Sequence, residues 1–140
     1  MSKSSLSKVD AILQQIIDLI KKTGKINEIA ENELLAYFGK RGENTIRALK
    51  EKRLIKLVIT SKIVLWEVSG KQEESYLIID NDFCECKDFQ IRVIGRGERD
   101  YCYHILTKII GEKTGLYTIN KLSPQAYTQM IEKRIEKLQE

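Results

Sequence analysis

All the cysteines and the only histidine of this chain fall between residues 84 and 104. The sequence of 140 residues holds three cysteines and one histidine, ordered as C-x-C, a spacer, and C-x-H: Cys84, Cys86, Cys102 and His104. Three thiols and one imidazole make up one of the closed tetrahedral donor sets that hold structural zinc. Since four such residues rarely gather by chance, the pattern predicts one structural Zn²⁺ per chain.

The two spacings also predict where each pair lies in the fold. Residues i and i+2 of an extended chain point to the same face, so Cys84 and Cys86 can reach one ion from a strand end or a tight hairpin. Residues two apart inside a helix diverge by about 200°. We therefore expect Cys102 just before a helix and His104 in its first turn, where the helix dipole also stabilises a thiolate.

Other uses of these residues are less consistent with the pattern. Free cysteines are common in protein cores, but three core cysteines would not need these offsets. A Cys₃His set also holds a [2Fe–2S] cluster in CDGSH-type proteins, whose histidine comes four residues after the last cysteine, and "CYHIL" does not fit. An odd number of cysteines in a reducing compartment argues against a disulfide framework.

The cluster and its flanks resemble the SWIM-type zinc finger, which reads C-x-C, a variable spacer, and C-x-H. The resemblance covers about residues 75 to 111, including "SYLIID", "CECKDF" and "CYHIL". With helices and a hairpin before it and a helix after it, the layout looks like the small SWIM subunits of Shu-type complexes. This resemblance implies a non-enzymatic subunit that assists homologous recombination by binding a RecA-family recombinase paralogue. That subgroup usually reads C-x-H-x-x-A, whereas this chain has Thr107 at the alanine position.

Apolar periodicity predicts helices in the first part of the chain. Apolar residues recur at helical spacing over residues 5–23, and Gly24 stands where a helix C-cap favours glycine. A second helix is predicted over 27–38 and a third over 44–53, with Asn44 as its N-cap. The fold class expected for the whole chain is α+β.

Period-two patterns then predict strands. The runs "LIKLVIT" and "KIVLWEV" form a hairpin, 75–80 is a third strand, and 89–95 is a candidate fourth. A helix is expected from Cys102 to Gly111, and Ser123-Pro124 is a strong start for a final helix.

We divide the chain into three segments on these patterns. They are an N-terminal helical region with winged-helix-like features (1–70), the SWIM finger (71–113) and a C-terminal helix (114–140).

The N-terminal segment supports an alternative function. Helix, turn, helix and hairpin over residues 36–68 also look like a winged helix, which would make the protein a zinc-stabilised DNA-binding transcription regulator. Basic residues decorate the second helix and its turn: Lys40, Arg41, Arg47, Lys50, Lys52 and Arg53. Since Glu43 and Glu51 are interleaved and the net charge is only +4, DNA contact is permitted but not required.

Two further features each allow a functional and a purely structural interpretation. The finger's spacer is basic and could hold phosphate or be a plain solvated loop: Lys87, Arg92, Arg96 and Arg99. The last helix carries an apolar stripe that packs on its own domain or binds a partner: Tyr127, Met130, Ile131, Ile135 and Leu138. Trp66 is expected in the core.

Catalysis and membrane insertion find little support. The sequence has no GxxxxGK[ST] motif, its one histidine is committed to the metal, and four protein ligands leave no open position for a substrate. No apolar run approaches the ~18 residues that span a bilayer, and the N-terminus has no apolar signal segment. We expect a cytoplasmic, non-enzymatic protein, with its oligomeric state open.

Overall fold

The computed structural model describes residues 3–70, 74–97 and 100–138, and the side chains from 8 to 137 within those ranges. The α+β class predicted from the sequence is confirmed. The elements follow in the order α1 (Lys3–Thr23), α2 (Glu28–Phe38), α3 (Lys40–Lys50), β1 (Leu54–Val58), β2 (Val64–Ser69), β3 (Ser75–Ile79), β4 (Phe83–Cys84), a π-helix (Phe89–Gly95), α4 (Tyr103–Thr114), β5 (Thr118–Lys121) and α5 (Pro124–Leu138).

The five strands form one sheet in the order β4-β3-β2-β1-β5. Strands β1 to β4 are joined by antiparallel pairings, and the predicted hairpin is the β1–β2 pair. Strand β5 adds to the open edge of β1 in parallel, with Ile55 opposite Thr118. The sheet therefore contains strands from all three predicted segments, and the division of the chain into those segments stays a prediction.

The larger core lies on one face of the sheet. Leu54, Trp66 and Ile78 point to this face because side chains alternate along a strand. They pack there against buried residues of the helices, such as Ile16 of α1 and Ile105 of α4. Trp66 is thus a core residue, as the sequence predicts. The metal ligands lie in the same core.

Helix α5 covers the opposite face. Leu57, Leu65 and Leu77 are buried there, and Met130 and Ile131 of α5 pack on them. Tyr127, Met130 and Ile131 of the stripe thus pack on their own domain, one of the two alternatives that the sequence left open, whereas Ile135 is 50% exposed. The side chain of Leu138 lies outside the described residues.

Glycine caps set the ends of the first helices. Gly24, at φ 75°, donates its N–H to Ile20 O at 2.8 Å, as the predicted C-cap requires. Gly39, at φ 55°, is the single residue between α2 and α3. Since this one residue turns the chain, α3 begins at Lys40, and the predicted start at Asn44 is wrong.

The predicted fourth strand over 89–95 is also wrong, because this segment is a π-helix. The Phe89 N–H donates to Cys86 Sγ at 3.3 Å, which starts a helical turn directly after the second cysteine. The fourth strand is instead the two-residue β4. A helical turn here lets the chain fold back toward Cys102.

Two glycines permit close packing at helix contacts. A Cβ at Gly42 of α3 would lie 2.2 Å from Leu34 O of α2, and one at Gly111 of α4 would lie 2.3 Å from Leu54 Cδ2 of β1. Gly42 therefore requires the absence of a side chain because the obstacle is backbone, whereas a side chain at Gly111 would require Leu54 to move. Among the described residues, no helix is long and apolar enough to cross a membrane.

We expect Gly42→Ala to destabilise the protein by about 1–3 kcal/mol, since the added methyl meets a backbone carbonyl that cannot rotate away. Urea unfolding followed by circular dichroism measures this. Ala36→Ser, at an exposed position of α2, is the control and should cost only the difference in helix propensity, about 0.5 kcal/mol. A Gly42→Ala midpoint equal to that of the wild type would contradict the close contact.

Candidate metal centre

The structure brings together the four residues that the sequence singles out. Cys84, Cys86, Cys102 and His104 are all buried, and their ligand atoms lie within 4.8 Å of one another. Sulfurs bound to one zinc ion at about 2.3 Å lie roughly 3.8 Å apart in a tetrahedral site. The cluster is therefore close enough to bind one metal ion.

The first pair comes from the end of a strand. Cys84 is the last residue of β4, and the following Glu85 N–H donates to Leu77 O at 3.1 Å, which prolongs the pairing with β3. Extended backbone places Cys84 and Cys86 on one side of the chain and the Glu85 side chain on the other. This is the local geometry that the C-x-C spacing predicts.

The second pair comes from the start of a helix. Cys102 is the N-cap of α4, with φ −78° and ψ 170°, and its carbonyl oxygen accepts the Leu106 N–H at 3.1 Å. His104 is the second residue of the helix. The sequence-based expectation for this half of the site also agrees with the structure.

The imidazole of His104 supports a metal at this point. Both ring nitrogens are buried and have no hydrogen-bond partner among the described residues. Tyr103 and Tyr76 lie over the ring, with centroid distances of 3.9 and 4.4 Å. A buried polar atom without a partner is costly, and a bond from one nitrogen to a metal removes part of that cost. The residues present therefore fit zinc.

Comparisons with known proteins agree with this site. The chain is similar to a protein described as zinc finger SWIM domain-containing protein 7 homolog, from Dictyostelium discoideum. The two are 27% identical over 105 residues, which cover 71% of this chain and 67% of the relative. The site fits a SWIM-type zinc finger. No family model and no solved structure matches the chain.

Hydrogen bonds link the three thiols of the cluster. Hydrogen bonds from the Cys102 and Cys84 thiols hold the pKa of Cys86 well below its usual range, and the Phe89 N–H adds to this effect. Hydrogen bonds to Cys102 and Cys86, together with burial, raise the pKa of Cys84. A bound dication stabilises thiolates, so zinc binding displaces protons from the cluster.

The residue that departs from the SWIM subgroup pattern is accommodated by α3. Thr107 is fully buried, and its Oγ1 lies 2.7 Å from Tyr103 O and 3.2 Å from Thr45 Oγ1. Thr45, also fully buried, reaches the same carbonyl oxygen at 3.3 Å. The hydroxyl that replaces an alanine is therefore hydrogen-bonded, and it joins α4 to α3.

Sequence reasoning missed four residues around the metal-binding cluster. Buried Lys108 of α4 donates to Asn81 Oδ1 at 2.8 Å, which anchors the turn before the C-x-C pair. Glu85 forms an ion pair with Arg134 of α5. Only Glu85 carried a usable signal, because the middle residue of C-x-C must face away from the metal.

The basic residues of α3 are largely occupied by intramolecular partners. Arg47 pairs with Glu43 at 3.1 Å. Further contacts join Lys40 to Glu43, Lys50 to Glu31, Arg53 to Glu51, and Arg41 to Tyr101 O. DNA contact through this helix therefore stays a prediction.

The basic spacer contains an ion pair between two of its own residues. Arg92 lies 3.4 Å from Asp88, one turn earlier in the chain. Arg99 lies outside the described residues. Phosphate binding by this segment also stays a prediction.

We expect one zinc per purified chain, without visible-range absorbance, and an affinity that falls as pH falls because protons compete for the ligands. Metal analysis and chelator competition across a pH series measure both. Cys102→Ser should abolish stoichiometric zinc while keeping a favourable N-cap for α4. A wild-type chain that takes up no zinc when it is supplied, or a pH-independent affinity, would be inconsistent with a cysteine-ligated site.

The two threonine hydroxyls should behave as a unit. Thr45→Val or Thr107→Val alone leaves the remaining hydroxyl with fewer partners and costs about 1–2 kcal/mol. The double variant should cost less than the sum, since both polar groups leave together. Urea unfolding of the zinc-loaded wild type, both single variants and the double variant measures these free energies of unfolding. Thr114 provides the control, because its hydroxyl donates to the carbonyl oxygen of Ile110 at 2.7 Å and not to a second hydroxyl. The loss of stability caused by Thr114→Val should therefore add to the loss caused by Thr45→Val. Additivity in the Thr45–Thr107 pair would show that they are not coupled.

Proposed function

We propose that this protein is a non-enzymatic zinc-binding subunit in DNA repair by homologous recombination, and that it acts by binding a RecA-family recombinase paralogue. The observation that carries the proposal is the closed, buried Cys₃His cluster of a SWIM-type finger. The recombination role rests on the likeness of the whole layout to small SWIM subunits of Shu-type complexes.

The geometry of the cluster supports a structural metal. Four protein ligands complete a tetrahedral zinc site, whereas a catalytic zinc keeps a position for water or substrate. All four side chains are at most 5% exposed. In this proposal the metal therefore stabilises a binding surface and performs no chemistry.

An apolar surface near the finger is suited to a protein partner. Ile63, Ile79 and Phe83, here called the finger corner, are 42%, 41% and 40% exposed. Ile79 and Phe83 are opposite each other in the β3–β4 pair. Continuing the β2–β3 register places Leu65 opposite Ile79. Ile63 comes two residues before Leu65 in the sequence and therefore lies on the same face of the sheet. The finger corner is therefore contiguous with the face that α5 covers.

Helix α5 leaves this corner open because of its direction. The helix begins near the end of β1, where Leu122 N–H donates to Val58 O at 3.0 Å. It runs to the opposite end of β3, where Arg134 lies 3.2 Å from Ser75 Oγ. Helix α5 thus crosses the sheet diagonally. The finger corner, at the turns after β1 and β3, lies to one side of this path.

The finger corner is a better candidate for the partner surface than α5. Met130 and Ile131 are already half-buried against the sheet, so replacing either with aspartate would loosen α5 itself. The finger corner leaves each of its three residues at least 40% exposed, and the Phe83 ring also packs edge-on against buried Phe89 at a centroid distance of 5.8 Å. Asp80 and Asp82 in the adjacent turn are exposed. We propose that the partner contributes an apolar anchor flanked by basic side chains.

DNA is a secondary partner in this proposal. Three thiolates remove three charges and Zn²⁺ adds two, which changes the formal net charge from +4 to +3. With the α3 cations largely paired to acids, we expect modest DNA affinity that falls steeply with salt. Sequence-specific promoter binding would instead favour the transcription-regulator alternative.

A RecA-family ATPase should co-purify with the tagged wild-type chain from its native cell. Phe83→Asp or Ile79→Asp should then weaken binding of that ATPase on the order of tenfold or more, as loss of an interface anchor does. Titration by calorimetry measures this, with zinc content and thermal stability as folding checks. The control Ile119→Asp lies on β5, at a residue that is 59% exposed, and should bind normally. Absence of any RecA-family ATPase from the eluate would refute the proposed function. Normal binding by both finger-corner variants would instead show that the partner binds elsewhere on the protein.

A further inference from the structure

The C-terminal helix reaches the metal-binding loop through one arginine. The guanidinium of Arg134 forms an ion pair with Glu85 through Nη1, while Nη2 lies 2.9 Å from Glu67 Oε2 and 3.2 Å from Ser75 Oγ. The arginine side chain is only 16% exposed. Among the described residues, its Nε is buried without a hydrogen-bond partner, so the two Nη groups carry its polar contacts.

Glu85 is held between the metal ligands and the helix. Its neighbours Cys84 and Cys86 point into the ligand cluster, so the Glu85 carboxylate lies on the α5 face of the sheet. There Oε1 accepts the Leu77 N–H at 2.6 Å in addition to the arginine. The carboxylate is therefore in position for Arg134 only when the C-x-C segment is extended.

We propose that the Glu85–Arg134 ion pair links metal binding to the docking of α5 on the sheet, so that each strengthens the other. Zinc joins the C-x-C segment to α4 and fixes the position of Glu85. Without the metal, this edge is held by the two residue pairs of β4, Ile78–Cys84 and Ile79–Phe83, and by the two Glu85–Leu77 hydrogen bonds. Glu85 then loses the constraint that the ligation of its two neighbours adds to these contacts. The conformational entropy of ordering the pair then opposes its formation.

The partial burial of the pair makes the link stronger than a surface salt bridge. Glu67 and Glu85 are 18% and 27% exposed, and removing one partner from a buried charge group leaves the others without compensation. Thermodynamic linkage requires that zinc raises α5 docking by the same factor by which docked α5 raises zinc affinity. Loss of zinc consequently weakens the packing of α5 on Leu57, Leu65 and Leu77. This inference does not depend on the recombination role.

Arg134→Met tests the link because it keeps an apolar stem and removes the charge. We expect it to weaken zinc binding by about tenfold, within the usual range of coupling between two linked sites, as measured by competition with a chelator of known affinity. Lys133→Met, at the exposed neighbouring position, is the matched control and should bind zinc as the wild type does. Arg134→Lys should recover part of the loss.

Hydrogen exchange across residues 124–137 provides the second readout. Chelation should accelerate exchange in wild-type α5 and should have a smaller effect in Arg134→Met, where the link is already broken. If Arg134→Met does not fold, Glu85→Gln tests the same pair, since its amide oxygen still accepts the Leu77 N–H. The proposal would be overturned by an unchanged zinc affinity in the variant that folds. It would also be overturned if the hydrogen-exchange rate of α5 in the wild type were the same before and after chelation.

Discussion

The convergence of four ligands on one buried point constrains the rest of the molecule. Two of these ligands stand at the end of a strand and two at the start of a helix, yet their donor atoms lie within 4.8 Å. The edge of the sheet and the N-terminus of α4 must therefore meet. Because α4 is held there, α3 and α1 pack on a surface whose position the ligands have set.

The parts of the fold that the sequence predicts well are those with local causes. A two-residue offset between cysteines requires extended backbone, and the same offset near a helix requires its first turn, so both halves of the site follow from geometry alone. Gly24 and the Ser123-Pro124 pair mark helix ends for similar reasons; the Ser123 hydroxyl accepts the Ala126 N–H at 3.0 Å. None of these features needs a distant partner.

The parts that the sequence does not predict depend on tertiary contacts. "FQIRVIG" has a strand-like composition, but the chain must fold back to bring Cys102 to the cluster, and it does so helically. The acceptance of Thr107 depends on Thr45 of α3, whose hydroxyl oxygen lies 3.2 Å from that of Thr107 although the two residues are 62 positions apart in the chain. The short polar strand β5 exists because β1 offers it an open edge. Each of these outcomes is decided by a partner far away in the chain.

The parallel pairing of β1 with β5 has a consequence for how the chain is made. Ile55 leaves the ribosome long before Thr118, its neighbour in the sheet. During this interval one edge of β1 has no strand beside it, and such an edge is a site of aggregation. The finger lies between the two strands in the chain, so its ligands emerge before β5 does. The nascent protein can thus close its metal site while the sheet is still open, and the last strand to arrive seals the edge.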